Sequence, residues 1–153
     1  MGYASILIYQ QKNTKGEVDM LNTEQKERLL KIARQTLESF FLTGKSLDIT
    51  MDDPDLIREQ GAFVTLTKGG ELRGCIGRVI SDEPLFKVVR DMSIEAAIRD
   101  PRFPSVTKNE LENIEIEISA LSPFEKIDDV NKIEVGKHGI MMRRGFNSGF
   151  YDL

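Results

Sequence analysis

The one cysteine of the chain, Cys75, stands in the run Glu71-Leu-Arg-Gly-Cys-Ile-Gly77, between Gly74 and Gly77 and just after Arg73. Read as an extended strand, alternate side chains share a face. Leu72, Gly74 and Ile76 then take one side, and Arg73, Cys75 and Gly77 the other. Leucine and isoleucine claim the core, which leaves a thiol beside a guanidinium. Such a neighbour favours the thiolate and suits nucleophilic catalysis or covalent capture of a ligand. Glycine weakens a strand unless something comes close to its backbone, so Gly74 and Gly77 leave room for a ligand or for another segment of the chain. The opposing reading makes Cys75 a small buried hydrophobe. The arginine and the glycines bring the two readings close to balance.

Asp100-Pro-Arg-Phe-Pro-Ser105 is the second unusual stretch. Its prolines fix the path, and an arginine on a rigid turn can grip a carboxylate or phosphate in bidentate fashion. The structural alternative pairs Asp100 and Arg102 with each other or with the backbone. A helix from Pro84 to Arg99 is long enough to cross a sheet and deliver this turn to the cysteine strand. On that reading Asp100 is a clamp and Arg102 reaches the thiol. His138 is the only histidine. It completes a cysteine–histidine arrangement only if it lies within hydrogen-bond reach, and a lone histidine is more often on the surface or structural.

One cysteine excludes an internal disulfide, a CxxC pair, a thiolate zinc site and a cysteine-held iron–sulfur cluster. One histidine excludes HExxH. No metal or cofactor is implied. Asp52, Asp53 and Asp55 around Pro54 make a carboxylate group, for which a solvated loop is the commoner outcome than a metal site. A net charge of −4 argues against a general nucleic-acid or anionic-membrane binder. RNA binding survives as a weaker reading if Arg73, Arg78, Arg99, Arg102, Arg143 and Arg144 converge. The apolar run near the N-terminus is far shorter than the roughly 20 residues a membrane span needs, and it lacks the basic flank of a signal peptide. The expected location is cytoplasmic.

The elements that would position these groups follow from pattern. Residues 1–19 read as a variable N-terminal extension with a β-prone Ser5–Gln10, the alternative being an edge or exchanged strand. Residues 20–153 read as one domain. Asn22 with Gln25 opens a helix as a capping box, Leu29, Leu30, Ile32, Ala33, Leu37, Phe40 and Phe41 form its apolar stripe, and Gly44 ends it. Phe63–Thr67 and Leu72–Val79 form a hairpin about Gly69-Gly70. A second helix starts at Pro84 and stops before Pro101. Ile114–Leu121 alternates as a strand, and Ile133–Val135 with Ile140–Arg144 suggests a last hairpin. Hairpins interspersed with helices give an α+β fold, an antiparallel sheet covered by helices.

Leu72-Arg-Gly-Cys-Ile-Gly77, Ala96-Ala97 followed by Asp100-Pro-Arg-Phe103, Ile116-Glu-Ile-Ser119 and Gly136-Lys-His-Gly139 together resemble the AMMECR domain, called in prokaryotes the AmmeMemoRadiSam system protein A. The resemblance runs from about Leu21 to Gly149. It implies an antiparallel sheet with helices, a small second lobe, and a cleft between them lined by the hexapeptide. It implies the company of a Memo-type protein and a radical S-adenosylmethionine enzyme. The signature positions are Arg73, Gly74, Cys75, Gly77, Asp100, Arg102 and Ser119. With His138 from the glycine-flanked turn, these are the candidates for holding a small anionic substrate around Cys75. Similar proteins continue past Gly149 with an apolar strand and further helices, so a missing or altered terminal segment is expected here. Two functions remain open: a thiol-dependent enzyme or accessory catalytic subunit, and a non-catalytic module docking those partners. A homo-oligomer is open as well.

Overall fold

A computed structural model of the 153-residue chain describes the backbone of residues 4–10, 21–122, 125–127, 129–133, 135, 138–144 and 147–152, and the side chains of residues 21–122, 129–133 and 135. In chain order the elements are β1 (Ala4–Gln10), α1 (Thr23–Thr43), β2 (Ala62–Lys68), β3 (Glu71–Arg78), α2 (Leu85–Ile98), a 3-10 helix (Lys108–Asn113), β4 (Ile114–Ala120), β5 (Glu125–Ile127), a 3-10 turn (Val130–Lys132), β6 (His138–Arg144) and β7 (Asn147–Asp152). They fall into two compact units, one spanning Leu21–Ala120, the other made of Met1–Met20 with Leu121–Leu153. The fold class is α+β.

In the first unit, the α1 start is the capping box expected from sequence. Asn22 Oδ1 accepts from the Gln25 N–H at 2.9 Å, and Gln25 Oε1 accepts from the Asn22 N–H at 2.9 Å. Gly44 closes the helix in the left-handed region at φ 73°, donating its N–H to Phe40 O. The buried stripe is Leu29, Ile32, Ala33 and Leu37, joined by Gln25 and Thr36. Leu30, expected inward, lies off that stripe and is 39% exposed.

β2 and β3 are joined by Gly69 and Gly70 alone, both at positive φ (61° and 81°). That is the backbone a two-residue hairpin turn requires. β4 adds on the far side of β2, giving the antiparallel order β3-β2-β4. Ala62, Val64 and Leu66 project inward from β2 and are fully buried, against Leu85, Val88 and Val89 of α2 and Leu29 and Leu37 of α1. Each large side chain buried this way contributes about 1.5–3 kcal/mol.

The α2 N-terminus is satisfied from outside the helix: the N–H groups of Leu85 and Phe86 donate to Arg58 O (2.9 Å) and Leu56 O (3.1 Å). Arg99 ends it, donating to Glu95 O, and Pro101 cannot continue the ladder. The chain then turns back, with the Val106 N–H on Ala97 O at 2.7 Å. Thr107 and Glu110 form a second capping box that opens the Lys108–Asn113 helix. Arg34 of α1 donates to Leu111 O at 2.8 Å and to Ile114 O, tying that helix down.

The second unit is an antiparallel sheet of order β5-β1-β6-β7. Residues 4–10, set apart by composition, are paired on both sides: Ile6 stands opposite Ile127 of β5 and Met142 of β6. The last hairpin differs from expectation. β6 pairs with β7, with Arg144 opposite Asn147, and neither Ile133 nor Val135 lies in a strand. Asp129 accepts from the Asn131 N–H and starts a 3-10 turn, and Ile133 closes it by donating to Val130 O. Residues 136 and 137 of the expected glycine turn lie outside the described residues.

Candidate functional site

The β3 ladder is irregular where the site begins. Leu66 faces Gly74 and Thr67 faces Leu72, so Arg73 has no residue opposite it and forms a β-bulge. The bulge inverts the alternation on its turn side. Leu72, expected in the core, is 41% exposed, while Gly74 is buried and Ile76 packs on the core. Neither glycine leaves room for a ligand. A Cβ on Gly74 would lie 2.1 Å from Ala96 O of α2, and one on Gly77 would lie 2.4 Å from the Phe63 ring. The close approach is by the chain's own segments.

Arg73 corrects the strand argument too. Its Nε and Nη2 donate to the two Glu110 oxygens at 3.2 Å each, Nη1 donates to Pro104 O at 2.7 Å, and Nη2 also reaches Ser105 O at 3.2 Å. Lys68 Nζ joins Glu110 at 2.9 Å. The Arg73 hydrogen bonds, followed by the Thr107 N–H and Lys68, hold the Glu110 carboxyl well below the usual carboxylate range. The cation expected beside the thiol is instead committed to pinning the α2–β4 connection onto β3.

Asp100 and Arg102 do come to Cys75. Asp100 Oδ2 accepts from the Cys75 N–H at 2.9 Å. Arg102 grips the same carboxylate through Nε to Oδ1 (2.9 Å) and Nη2 to Oδ2 (2.7 Å), and Asp100 Oδ1 also accepts from the Arg102 N–H at 3.1 Å. Arg102 Nη2 stands 3.4 Å from Cys75 O. The Asp100 side chain is 2% exposed and that of Arg102 56%. The Arg102 hydrogen bonds lead in holding the Asp100 carboxyl far below its ordinary range, against burial, with help from the Cys75 and Arg102 amides. Arg102 is raised in return, chiefly by its hydrogen bond to Asp100. Its guanidinium carbon lies 5.4 Å from the centre of the Phe103 ring. Among the described residues, Arg102 Nη1 has no hydrogen-bond partner.

Antiparallel pairs alternate between bonded and non-bonded positions. Cys75, whose N–H goes to Asp100, takes the non-bonded place opposite Thr65. Side chains approach closely at such pairs, and Thr65 Oγ1 lies 3.1 Å from Cys75 Sγ. Cys75 is half-buried. Pairing register carries the row on to Glu117, and sets a parallel row of Gly77, Phe63 and Ser119. Ser119 therefore shares the outer face with Cys75 but stands two strands across and two residues along, roughly 12 Å away at about 4.8 Å per strand and 3.3 Å per residue.

His138 belongs to β6 of the other unit, and its side chain lies outside the described residues. Arg78 pairs with Glu83, and Arg99 with Glu95 at 3.6 Å. With Arg73 and Arg102 also held by carboxylates, these four arginines do not form an unneutralised phosphate-binding patch; the side chains of Arg143 and Arg144 lie outside the described residues. Asp53 and Asp55 order their loop: Gln25 Nε2 donates to each at 3.0 Å, and Asp53 Oδ1 accepts from the Asp55 N–H. Among the described residues no group of three or more His, Cys, Asp or Glu is placed to hold a metal. Among the described residues, no helix is long and apolar enough to cross a membrane.

Glu110 was missed by sequence reasoning, although Thr107-Lys-Asn-Glu110 carries a capping-box signal. Thr65 was missed because its place beside the thiol depends on cross-strand register.

The family model described as AMMECR1 matches residues 30–151. A protein of Methanosarcina mazei is 40% identical over 139 residues, covering 85% of this chain and 70% of its own length. One of Methanothermobacter thermautotrophicus is 39% identical over 136 residues, covering 84% and 71%. The crystal structure of an uncharacterized protein from Pyrococcus horikoshii superposes with a TM-score of 0.80 at 34% identity, covering 86% of this chain and 70% of that one.

Proposed function

From the premise that the chain belongs to the AMMECR1 family, a membership that brings no reaction with it, we propose that the sheet face around Cys75 binds a small anionic ligand. Cys75 serves there as nucleophile or thiol handle, in an enzyme or in an accessory catalytic subunit. The observation that carries this reading is that one buried carboxylate, Asp100, holds both the Cys75 peptide and the exposed Arg102 guanidinium. A thiol-bearing residue and a guanidinium paired with Asp100 meet at one strand position, which supports this reading. Arg102 keeps donors on Nη1 for a carboxylate or phosphate. The Memo-type protein and radical S-adenosylmethionine enzyme implied by the resemblance are the proposed partners, and the cytoplasm the proposed location.

A second reading, a non-catalytic module docking those partners, is favoured by one observation. Arg73, the cation that was to activate the thiol, is spent on Glu110. The two readings separate on Cys75→Ser, which abolishes turnover in an enzyme and leaves docking intact.

The ligand charge is tested with paired methanethiosulfonate reagents. An anionic reagent labels Cys75 of the folded protein faster than a cationic one of similar size, and Arg102→Met removes the preference. Faster labelling by the cationic reagent overturns the anion site.

A further inference from the structure

Among the described residues β3 is an edge strand of the β3-β2-β4 sheet, and an edge presents unpaired N–H and C=O groups at alternate residues. Beyond the bulge these outward positions are Cys75 and, by alternation, Gly77. At Cys75 the N–H is taken by Asp100 Oδ2 at 2.9 Å, and the C=O faces Arg102 Nη2 at 3.4 Å. One acceptor and one donor, from a single ion pair, thus stand where a neighbouring strand would put its own C=O and N–H. At Arg73 the ladder is broken by the bulge, and the side chain is drawn to Pro104 O, Ser105 O and Glu110. Both devices anchor in the same connection, residues 99–113, which runs from α2 to β4.

We infer that the Asp100–Arg102 pair is a side-chain stand-in for a fourth strand, closing the β3 edge at Cys75 against edge-to-edge pairing with a second copy of this chain. A second copy is the occupant that the edge selects for, because β3 running against its own copy presents the same bonding pattern on both sides, as a two-fold antiparallel contact requires. The bulge at Arg73 blunts the edge on one side of Cys75, so the clasp covers the position where pairing would otherwise begin. This inference goes beyond the ligand reading and holds whether or not the thiol reacts. It assigns Asp100 to the backbone, consistent with its 2% side-chain exposure.

Amide hydrogen exchange resolved at Cys75 tests the clasp. In the parent protein the Cys75 amide is protected like the amides of the interior strand β2, and Asp100→Asn speeds its exchange by about tenfold or more while β2 stays protected. Arg102→Met, which leaves the Asp100–Cys75 bond in place, gives a smaller increase. Sedimentation of folded Asp100→Asn over a range of concentrations shows mass above that of the parent. A parent Cys75 amide exchanging as fast as surface amides overturns the clasp, even if the variant fails to fold. A folded variant with an unprotected Cys75 amide and the parent's mass overturns the edge-closing role.

Discussion

Asp100 places its carboxylate 2.9 Å from the backbone N–H of Cys75, 25 positions earlier in the chain. Cutting that contact with Asp100→Ala leaves a strand N–H without its acceptor and Arg102 without its counter-charge. A buried donor left unsatisfied costs about 1–3 kcal/mol. The expected result is a lower urea midpoint at unchanged slope. An unchanged midpoint would mean that water replaces the carboxylate at no cost.

Asp100 and Glu110 both titrate lower in the folded chain than their ordinary values of 3.8 and 4.5. Groups depressed in this way contribute stability that is complete above their unfolded values and drains as pH falls toward the folded ones. Stability should therefore hold level from about pH 7 to 5 and decline below that, by up to about 1.4 kcal/mol per pH unit per group. The double variant Asp100→Asn, Glu110→Gln should start less stable and show a flatter acid limb. Parallel acid limbs in parent and variant would assign the titration to other carboxyls.

Gly74→Ala should be costly, because the added methyl meets the Ala96 carbonyl, a backbone atom that cannot swing away. Overpacking of this kind costs about 1–3 kcal/mol and sometimes more. Thermal unfolding measures it. A Gly74→Ala protein as stable as the parent would show that α2 stands farther from β3 than described.

Arg73→Met separates the two roles considered for that arginine. With the guanidinium on Glu110, its removal should lower stability and leave the labelling rate of Cys75 in the folded protein within about twofold of the parent, since Arg73 is already paired with that carboxylate and adds little net charge at the thiol. A large fall in labelling rate at full stability would restore Arg73 to the thiol.

What the sequence made legible was local or strongly patterned. Asn22, Gln25 and Gly44 mark the ends of α1 because capping is a matter of neighbouring residues. Gly69-Gly70 marks the hairpin because only glycine takes two successive positive φ values cheaply. The approach of Asp100 and Arg102 to Cys75 followed from the length of α2 and from a proline that must end it. The rest depended on register. A bulge at Arg73 has no signature in Leu72-Arg-Gly, yet it turned Leu72 outward and sent Arg73 to Glu110. Gly74 read as space either for a ligand or for another segment of the chain, and the choice stayed open because the partner it accommodates, Ala96, lies on another element. The pairing of β6 with β7 was not legible, because it depends on register between strands rather than on a local signal.

The central claim is that Cys75 is a working thiol on an accessible sheet face, and native-state labelling with a small neutral alkylating reagent tests it most directly. Intact mass should show one adduct, mapped to Cys75, forming in the folded protein without denaturant and at a rate independent of unfolding. An adduct that forms only as fast as the chain unfolds, and is absent under conditions where it stays folded, would return Cys75 to the core and contradict the account.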